Sequence, residues 1–386
     1  MSGLSDSARK ARHERIGRVR ERMGSLNVDA LLLSHGADLP WLTGYRAMPL
    51  ERLTMLVLRA EGEPVLVVPA LEAPRVAAAG DLFVTVPWDD TQDPIDLVLS
   101  VLVGPSTASG RGLRLAVSDR SWATTVLALQ RRLPDGVWVE ASTVTSPIRA
   151  VKDSSEVEAL RAAGAAADRV AAILQAGEIG LIGRTEAEVS GHLGTLLIDE
   201  GHQQVNFAIV GSGPNAASPH HEPGSRLIAP GETVVCDFGG TLALDGDVGY
   251  CSDITRTVFT GSPPPEVDEC YGVLRAAQQA AVAAARSGVT AEHVDGVARE
   301  IITGAGYGDL FVHRTGHGIG IEEHEDPYLV VGNDQQLLPG HAFSVEPGIY
   351  HPGRFGMRLE DIVVIGADGN PEPLNSVDHG LVVVDA

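Results

Sequence analysis

Residues 234–257, which read VVCDFGGTLALDGDVGYCSDITRT, constrain the fold more than any other stretch of the chain. Two runs of strand-forming residues flank a turn rich in Gly and Asp, a pattern that predicts a β-hairpin. Asp237 and Asp253 each occupy a position where a strand would hold an apolar residue. A buried carboxylate without a partner costs several kcal/mol or takes up a proton. The hairpin alone therefore predicts either a metal ion bound by both acids or two acids that accept backbone N–H bonds.

Length and charge limit the classes of function. A chain of 386 residues is long enough for two domains with separate cores. Its 51 acidic and 29 basic residues give a formal net charge of -22, which argues against a nucleic-acid partner because a phosphate backbone needs clustered Lys and Arg. No stretch approaches the roughly 20 apolar residues of a membrane span, and the amino-terminal segment has no apolar signal core. We therefore expect a cytoplasmic protein without membrane contact.

The three cysteines, Cys236, Cys251 and Cys270, are too few for a disulfide framework, which predicts a reducing compartment. Cys236 and Cys251 lie close in sequence to the two aspartates of the hairpin, but their spacing matches no zinc motif. We interpret both as small buried side chains.

The chain divides into two predicted domains, residues 1–150 and 151–386. In the first, six strand-like runs alternate with helix-like segments, one of them around residues 71–79, which predicts an α/β domain with a mixed sheet. At the start of the second, Ser155 and Glu158 form an S-x-x-E pattern. This pattern predicts a capping box that opens an Ala-rich helix extending to about Gln175.

The second predicted domain contains an internal repeat. Five residues recur in the same order 105 positions later: Gly183, Thr185, Val189, Gly191 and Gly201 return as Gly288, Thr290, Val294, Gly296 and Gly306. In both copies the Thr stands where a helix N-cap is expected. Strand-like runs with acids follow each copy, and Asp237 and Asp253 are displaced by 109 and 107 residues from Glu346 and Glu360. We expect two halves, each helix–helix–strands, that face each other across a shared site.

The acids and histidines of the second half complete a candidate metal site. Glu346 and Glu360 fall in strand-like runs, and alternation places Arg358 on the same strand face as Glu360. Three histidines surround a Gly-rich turn: His313, His317 and His324. Four carboxylates balance two divalent cations, and oxygen ligands with one imidazole suit manganese, iron or cobalt, with zinc as an alternative. Two such ions predict metal-assisted hydrolysis of a carbonyl compound.

Five motifs resemble those of one enzyme family. DFGG, GYCSDITRT, HRTGHGIGIEEHE, SVEPGIY and RLED are similar to the motifs of methionine aminopeptidase, aminopeptidase P and prolidase-type metallopeptidases (peptidase family M24), from about residue 155 onward. VDALLL followed by WLTGY resembles the creatinase-type N-terminal domain. The resemblance implies an α/β creatinase-type N-terminal domain and an α+β pita-bread catalytic domain with internal pseudo-twofold symmetry. The large N-terminal domain disfavours methionine aminopeptidase.

The resemblance also assigns roles to residues of this sequence. It implies five ligands to two metal ions, with Asp253 and Glu360 bridging: Asp237, Asp253, His317, Glu346 and Glu360. It implies catalytic roles for three residues: Glu346 carries a proton, His220 lies on the substrate side, and His324 lies beside the tetrahedral intermediate. His221 is adjacent to His220 and could be confused with it. Substrate binding falls to His313 on the leaving-group side and to Arg358 at a substrate carboxylate, although a solvent-facing structural role is an alternative for both.

One departure from the family pattern concerns the hairpin between the first two ligands. Residues 242–247 extend its tip beyond the expected length. We expect Asp245 and Asp247 to belong to this tip and not to the metal site.

The resemblance implies an Xaa-Pro dipeptidase, most like the bacterial prolidases, with two divalent ions (manganese first; cobalt, zinc or iron as alternatives). Its substrate would be a small peptide with proline in second position, and a homodimer is implied by resemblance only. The alternative is an Xaa-Pro aminopeptidase that acts on longer peptides. Remoter alternatives are a metal-free creatinase-like hydrolase, which should lack the ligand acids, and a non-catalytic member of the fold, which would usually have lost some of them.

Overall fold

The structure is a computed structural model and describes residues 5–76, 82–103, 112–244 and 247–385. The chain forms two compact units. The first comprises Met1–Arg149 and Leu244–Val248, and the second comprises Ala150–Ala243 and Gly249–Ala386. Within the described residues, none of the helices combines the length and the apolar character that crossing a membrane requires.

The first unit is built on a six-stranded mixed sheet. Its strands are β1 (Ala30–Leu33), β2 (Met55–Arg59), β3 (Val65–Pro69), β4 (Val84–Trp88), β5 (Arg114–Val117) and β6 (Val137–Glu140), in the order β4-β3-β2-β1-β5-β6. β2 pairs antiparallel with β1 and β3, whereas β3–β4, β1–β5 and β5–β6 are parallel. Both the strand runs and the mixed sheet were predicted from the alternation of strand-like and helix-like segments, and the structure confirms them.

In the part of this unit that the structure describes, six helices accompany the sheet. They are α1 (Asp6–Ser25), α2 (Asp38–Thr43), α3 (Ala73–Val76), α4 (Pro94–Leu102), α5 (Ala123–Arg132) and α6 (Ser142–Ala150). The helix predicted around residues 71–79 corresponds to α3, and residues 77–79 of that prediction lie outside the described residues.

The second unit repeats one arrangement of elements twice. Its first half contains α7 (Ser154–Gln175), α8 (Glu186–Asp199), β7 (Gln204–Ser212), β8 (Thr233–Leu242), β9 (Tyr250–Cys251) and β10 (Ile254–Thr260). Its second half contains α9 (Pro265–Ala284), α10 (Ala291–Gly304), β11 (Gly316–Gly318), β12 (Glu325–Leu329), β13 (Ala342–Val345), β14 (Gly348–His351), β15 (Phe355–Arg358), β16 (Asp361–Ile365), β17 (Pro371–Pro373) and β18 (Val382–Val384). One sheet has the order β18-β10-β8-β7 with β9 on β8, a second has the order β12-β11-β13-β16-β17, and β14 pairs with β15.

The predicted internal repeat is confirmed. Thr185 and Thr290 are the N-caps of α8 and α10, and each accepts a hydrogen bond from a backbone N–H three residues later. Each Thr also forms an isolated antiparallel bridge, with Leu227 and Gln336 respectively. Both halves then present a central antiparallel pair, β8–β10 and β13–β16. One apolar cluster consists mainly of first-half residues with Val384 of β18, and a second consists mainly of second-half residues with Phe259 of β10.

The predicted capping box at Ser155 and Glu158 is wrong by two residues. Asp153 is the N-cap of α7, and its carboxylate accepts hydrogen bonds from the backbone N–H groups of Ser155 (2.9 Å) and Glu156 (3.0 Å). Glu156 returns a bond to the backbone N–H of Asp153, and Glu158 instead pairs with Arg161. Both frames fit a capping-box pattern, and Asp and Ser are comparable N-caps, so the sequence alone does not decide between them.

The interpretation of the cysteines is consistent with the structure. Cys236, Cys251 and Cys270 carry free thiols and are buried. Burial raises the pKa of Cys236 and of Cys270 to about 12 and raises that of Cys251 further. These thiols are therefore protonated at neutral pH and fill the core.

The position of the α7 cap can be tested by two alanine substitutions. We expect Asp153→Ala to lower the free energy of unfolding by about 1 kcal/mol, because two backbone N–H groups lose their acceptor. Ser155→Ala should lower it by less than about half of that value. Chemical denaturation followed by circular dichroism measures both, and a larger effect of Ser155→Ala would contradict the assigned cap.

Candidate metal centre

The five predicted ligands lie on or beside five strands of the second unit. Asp237 is inside β8, Asp253 immediately precedes β10, and His317 is the middle residue of β11. Glu346 and Glu360 were predicted inside strands, but they lie one residue after β13 and one residue before β16. Their backbones remain paired there: the N–H of Glu346 donates to the carbonyl of Thr315 at 2.7 Å, and the N–H of Glu360 donates to the carbonyl of Thr255 at 3.2 Å.

All five side chains line one cavity of about 830 Å³. Its wall also carries the other histidines and arginines that belong to the candidate site, together with apolar residues: His220, His313, His324, Arg314, Arg358, Phe207, Ile209 and Val312. Gly316 and Gly318 flank His317, and a Cβ atom at either position would collide with a neighbouring backbone carbonyl. The glycines therefore let the short β11 strand approach its neighbours closely enough to bring His317 to the acids.

The distances within this group suit a cation. Asp253, His317 and Glu360 are buried, and each offers one ligand atom within 4.8 Å of the others. His317 Nε2 is 3.1 Å from Glu346 Oε1 and 3.7 Å from Asp253 Oδ2. His317 Nδ1 is 3.1 Å from the carbonyl oxygen of Gly318, which leaves Nε2 directed at the carboxylates.

Burial and mutual repulsion oppose ionisation of three of the acids. Burial raises the pKa of Asp237, Asp253 and Glu360, and the negative charges of neighbouring carboxylates raise it further. Glu346 differs: burial would raise its pKa, but its hydrogen bond with His317 and its electrostatic interactions with His317, His313 and Arg358 lower that pKa to about 2. The cluster therefore holds more negative charge than the protein around it neutralises.

Two oxygens of the cluster have no hydrogen-bond partner within the part of the chain that the structure describes. Asp237 Oδ1 and Glu360 Oε1 are both fully shielded from solvent. Leaving a buried acceptor unsatisfied costs about 1–3 kcal/mol, and more when it is charged. Oxygen-rich donors with one imidazole, combined with orphaned carboxylate oxygens, fit divalent metal ions.

Hydroxyl side chains orient two of the acids. Thr255 Oγ1 donates to Glu360 Oε2 at 2.6 Å, and Ser344 Oγ donates to Glu346 Oε1 at 3.1 Å. Ser344 Oγ also accepts the backbone N–H of His317 at 3.0 Å. Sequence reasoning missed both residues. Thr255 stands two positions after Asp253 and Ser344 two positions before Glu346, so the period of a strand could have revealed them.

Arg358 is buried, with 2% of its surface exposed. It does not face solvent. Nη2 pairs with Asp237, Nε donates to Thr255 Oγ1 at 3.0 Å, and Nη1 donates to Tyr350 Oη at 3.0 Å and to the Pro219 carbonyl at 3.2 Å. Each guanidinium nitrogen therefore already has a protein acceptor.

The histidines near the cavity differ in the groups that they contact. His220 lines the cavity, whereas His221 binds Glu186, with Nε2 2.8 Å from Oε2. The ring centre of His324 is 4.2 Å from that of His317. Burial, followed by the charges of His317 and other nearby groups, lowers the pKa of His324 to about 4.

His313 is half-buried and lines the cavity. Its Nε2 is 2.9 Å from Tyr350 Oη, which in turn accepts from Arg358. Burial lowers the pKa of His313, so it stays neutral near pH 7. Asp247 is ion-paired with Arg12 inside the first unit, and Asp245 lies outside the described residues.

Two family profiles match the chain. The Creatinase/Prolidase N-terminal domain matches residues 15–151, and metallopeptidase family M24 matches residues 157–367, which is more than half of the chain. The chain belongs to metallopeptidase family M24. The predicted family and fold class are thereby confirmed, and the chain is a metal-dependent peptidase of this family.

Named relatives cover nearly the full length of this M24 peptidase. "Probable dipeptidase PepE" of Mycobacterium tuberculosis is 47% identical over 358 residues, 92% of both chains. "Xaa-Pro dipeptidase" of Lactobacillus helveticus is 36% identical over 364 residues, 92% of this chain and 95% of its own. Among solved structures, dipeptidase PepE of Mycobacterium ulcerans superposes with a TM-score of 0.90 at 42% identity, covering 99% of this chain and 100% of its own.

Metal analysis tests the ligand set. After loading with Mn²⁺ and removal of excess ion, we expect about two equivalents per wild-type chain and fewer than one for Glu360→Ala, because the family resemblance predicts that this side chain would hold both ions. Thr255→Val should weaken metal binding by about 10- to 100-fold, since an outer hydroxyl orients the ligand. Elemental analysis and calorimetric titration measure these values.

The matched control is Glu372→Ala. Glu372 is an exposed glutamate that pairs with Arg161. This variant should bind metal as the wild type does. Equal metal content in Glu360→Ala and Glu372→Ala would contradict the ligand assignment.

Proposed function

We propose that this chain is a dinuclear-metal Xaa-Pro dipeptidase in which residues 151–386 form the catalytic domain and residues 1–150 the creatinase-type domain. The convergence of four carboxylates and one histidine on a single cavity carries the proposal. The relatives named Xaa-Pro dipeptidase support the substrate class. We further propose Mn²⁺ as the native ion, a homodimeric assembly and a cytoplasmic location; the three free cysteines support the last of these.

Five side chains would hold the ions: Asp237, Asp253, His317, Glu346 and Glu360. When bound, two divalent ions supply a Lewis acid for the scissile carbonyl and a water nucleophile at neutral pH. Thr255 and Ser344 keep Glu360 and Glu346 oriented through their hydroxyl groups. Arg358 places a positive charge against Asp237 and so lowers the cost of burying that carboxylate.

Proton transfer is assigned to Glu346. Its carboxylate reaches His317 through Oε1, and its Oε2 lies 4.0 Å from Arg358 Nε, so the group is held at the cavity wall. A carboxylate in this position takes the proton of the attacking water and returns it to the departing proline nitrogen.

The neutral histidines donate hydrogen bonds. Because the pKa of His324 is about 4, its imidazole is uncharged at pH 7 and still offers one N–H group. We assign this N–H to the oxyanion of the tetrahedral intermediate. His220 is assigned to the substrate side and His313, which is tethered to Tyr350, to the leaving-group side.

Proline specificity follows from the chemistry of the scissile bond. The bond before proline is a tertiary amide without an N–H group. A site that recognises this bond needs room for the pyrrolidine ring and has no use for an acceptor that would bind a scissile N–H. Three apolar residues of the cavity lining, Phe207, Ile209 and Val312, offer surface against which such a ring could pack.

The second candidate is an Xaa-Pro aminopeptidase. The cavity volume of about 830 Å³ favours it, because that space exceeds the need of a dipeptide. The metal-free creatinase-like and non-catalytic alternatives are disfavoured, since all five ligand side chains are present around the cavity.

Substrate comparison tests the proposal. With Mn²⁺ bound, we expect hydrolysis of Ala-Pro but not of Ala-Ala, and slower hydrolysis of Ala-Pro-Ala.

His324→Gln should lower kcat by about 10²- to 10³-fold with metal content unchanged, because one oxyanion donor is lost. His293→Gln, a change in an exposed histidine of α10, is the matched control.

Three results would overturn parts of the proposal. Cleavage of Ala-Pro-Ala alone would favour the aminopeptidase. Equal cleavage of Ala-Ala and Ala-Pro would contradict proline specificity. A chain that binds two ions and cleaves none of these peptides would contradict the function altogether.

A further inference from the structure

Arg314 is a positively charged residue of the cavity wall, and it has no role in the proposed metal centre. It lies in the sequence between His313 and His317, and its side chain lines the same cavity. Its guanidinium carbon is 4.5 Å from the ring centre of Tyr328. Neither residue belongs to the predicted ligand set.

The guanidinium of Arg314 differs from that of Arg358 in its contacts. Throughout residues 5–76, 82–103, 112–244 and 247–385, no carboxylate, carbonyl or hydroxyl oxygen accepts a hydrogen bond from the Arg314 side chain. All three nitrogens of Arg358 already donate to protein oxygens. Of these two arginines in the cavity, Arg314 is the one with free donors.

The stacking on Tyr328 prepares Arg314 for a planar anion. A guanidinium that lies over an aromatic ring keeps its N–H groups directed outward in its own plane. Two of those groups match the two oxygens of a carboxylate in a fork-like pair. The aromatic ring thus supports the cation without consuming a hydrogen-bond donor.

The backbone on either side of Arg314 is held by α10. Arg299 Nη2 donates to the carbonyl of His313 at 2.9 Å. Asp295 Oδ1 accepts the backbone N–H of Thr315 at 3.0 Å and its hydroxyl at 2.8 Å. Arg314 is therefore presented from a fixed segment, which reduces the entropy lost when it binds an anion.

We propose that Arg314, supported by Tyr328, binds the free C-terminal carboxylate of the dipeptide substrate. This inference rests on the proposed function and names the residue that distinguishes a dipeptide from a longer peptide. A dipeptide places one carboxylate next to the proline ring, whereas a longer peptide or an amide places a neutral group there. Arg314 gains a charge-assisted bidentate partner only in the first case.

The test compares Ala-Pro with its C-terminal amide, Ala-Pro-NH₂, on metal-loaded enzyme. For the wild type we expect kcat/KM to favour the carboxylate form by about 10- to 100-fold, as for hydrogen bonds to charged groups. Arg314→Gln should raise KM for Ala-Pro by a similar factor, with little change in kcat and little change for the amide. Arg314→Lys, which keeps the charge but not the fork, should lie between them.

Arg354→Gln is the matched control. Arg354 is half-exposed and pairs with Glu266, and it is absent from the cavity wall. This variant should retain the wild-type preference. The two Arg314 variants should melt as the wild type does, because the Arg314 side chain has no hydrogen-bonded partner among the described residues to lose. Arg354→Gln should also melt close to the wild type, because its ion pair with Glu266 is exposed and contributes little.

The outcomes separate the inference from the function on which it rests. If the wild type cleaves Ala-Pro and Arg314→Gln keeps the wild-type ratio between carboxylate and amide, the inference is wrong and the proposed function stands. If the wild type cleaves neither substrate, the proposed function fails and the inference fails with it.

Discussion

Repulsion among buried carboxylates is the constraint on which the catalytic unit depends. Asp237, Asp253 and Glu360 are removed from water and lie close enough to raise one another's pKa. Two oxygens among them have no donor in the described chain. The protein itself stabilises part of this negative charge. Arg358 forms an ion pair with Asp237, and the hydroxyl of Thr255 donates a hydrogen bond to Glu360. Divalent cations would supply the rest, since four acids match two such ions.

The internal repeat explains how a single chain brings four acids together. Each half contributes two acids beside its central antiparallel pair, β8–β10 or β13–β16. The second half adds His317 on a strand of three residues whose flanking glycines permit close approach. The duplicated arrangement therefore brings two acids from each half to one cavity, to which the second half also contributes His317 and Arg314.

Much of this arrangement could be predicted because its signals are local. Acids inside strand-forming runs, Gly on both sides of a histidine, and threonine at two equivalent helix starts can all be read from neighbouring residues. The α7 cap was misplaced because Asp153 and Ser155 offer competing frames, and only the geometry of the N–H groups decides between them. Glu346 and Glu360 fall just outside their strands because strand ends depend on pairing with distant segments.

Contacts between distant segments could not be predicted. His220 and His221 are neighbours in sequence, and they differ because Glu186 on α8 binds one of them. Arg358 lines the cavity, where its predicted role at a substrate carboxylate stays a prediction, and its four partners from separate segments could not be read from the sequence. Tyr328 and Arg314 stack across a turn of the chain, and neither residue alone signals that contact. Such features depend on tertiary packing, which a local pattern does not encode.

The central claim is that five side chains of the second unit hold two divalent cations in one cavity. Diffraction data collected at the manganese absorption edge, from crystals grown with Mn²⁺, test this claim most directly. The account predicts two anomalous peaks, both within coordination distance of Asp253 and Glu360, with Asp237, His317 and Glu346 completing their coordination. The absence of anomalous density among these five side chains, or ions bound only elsewhere on the protein, would contradict it.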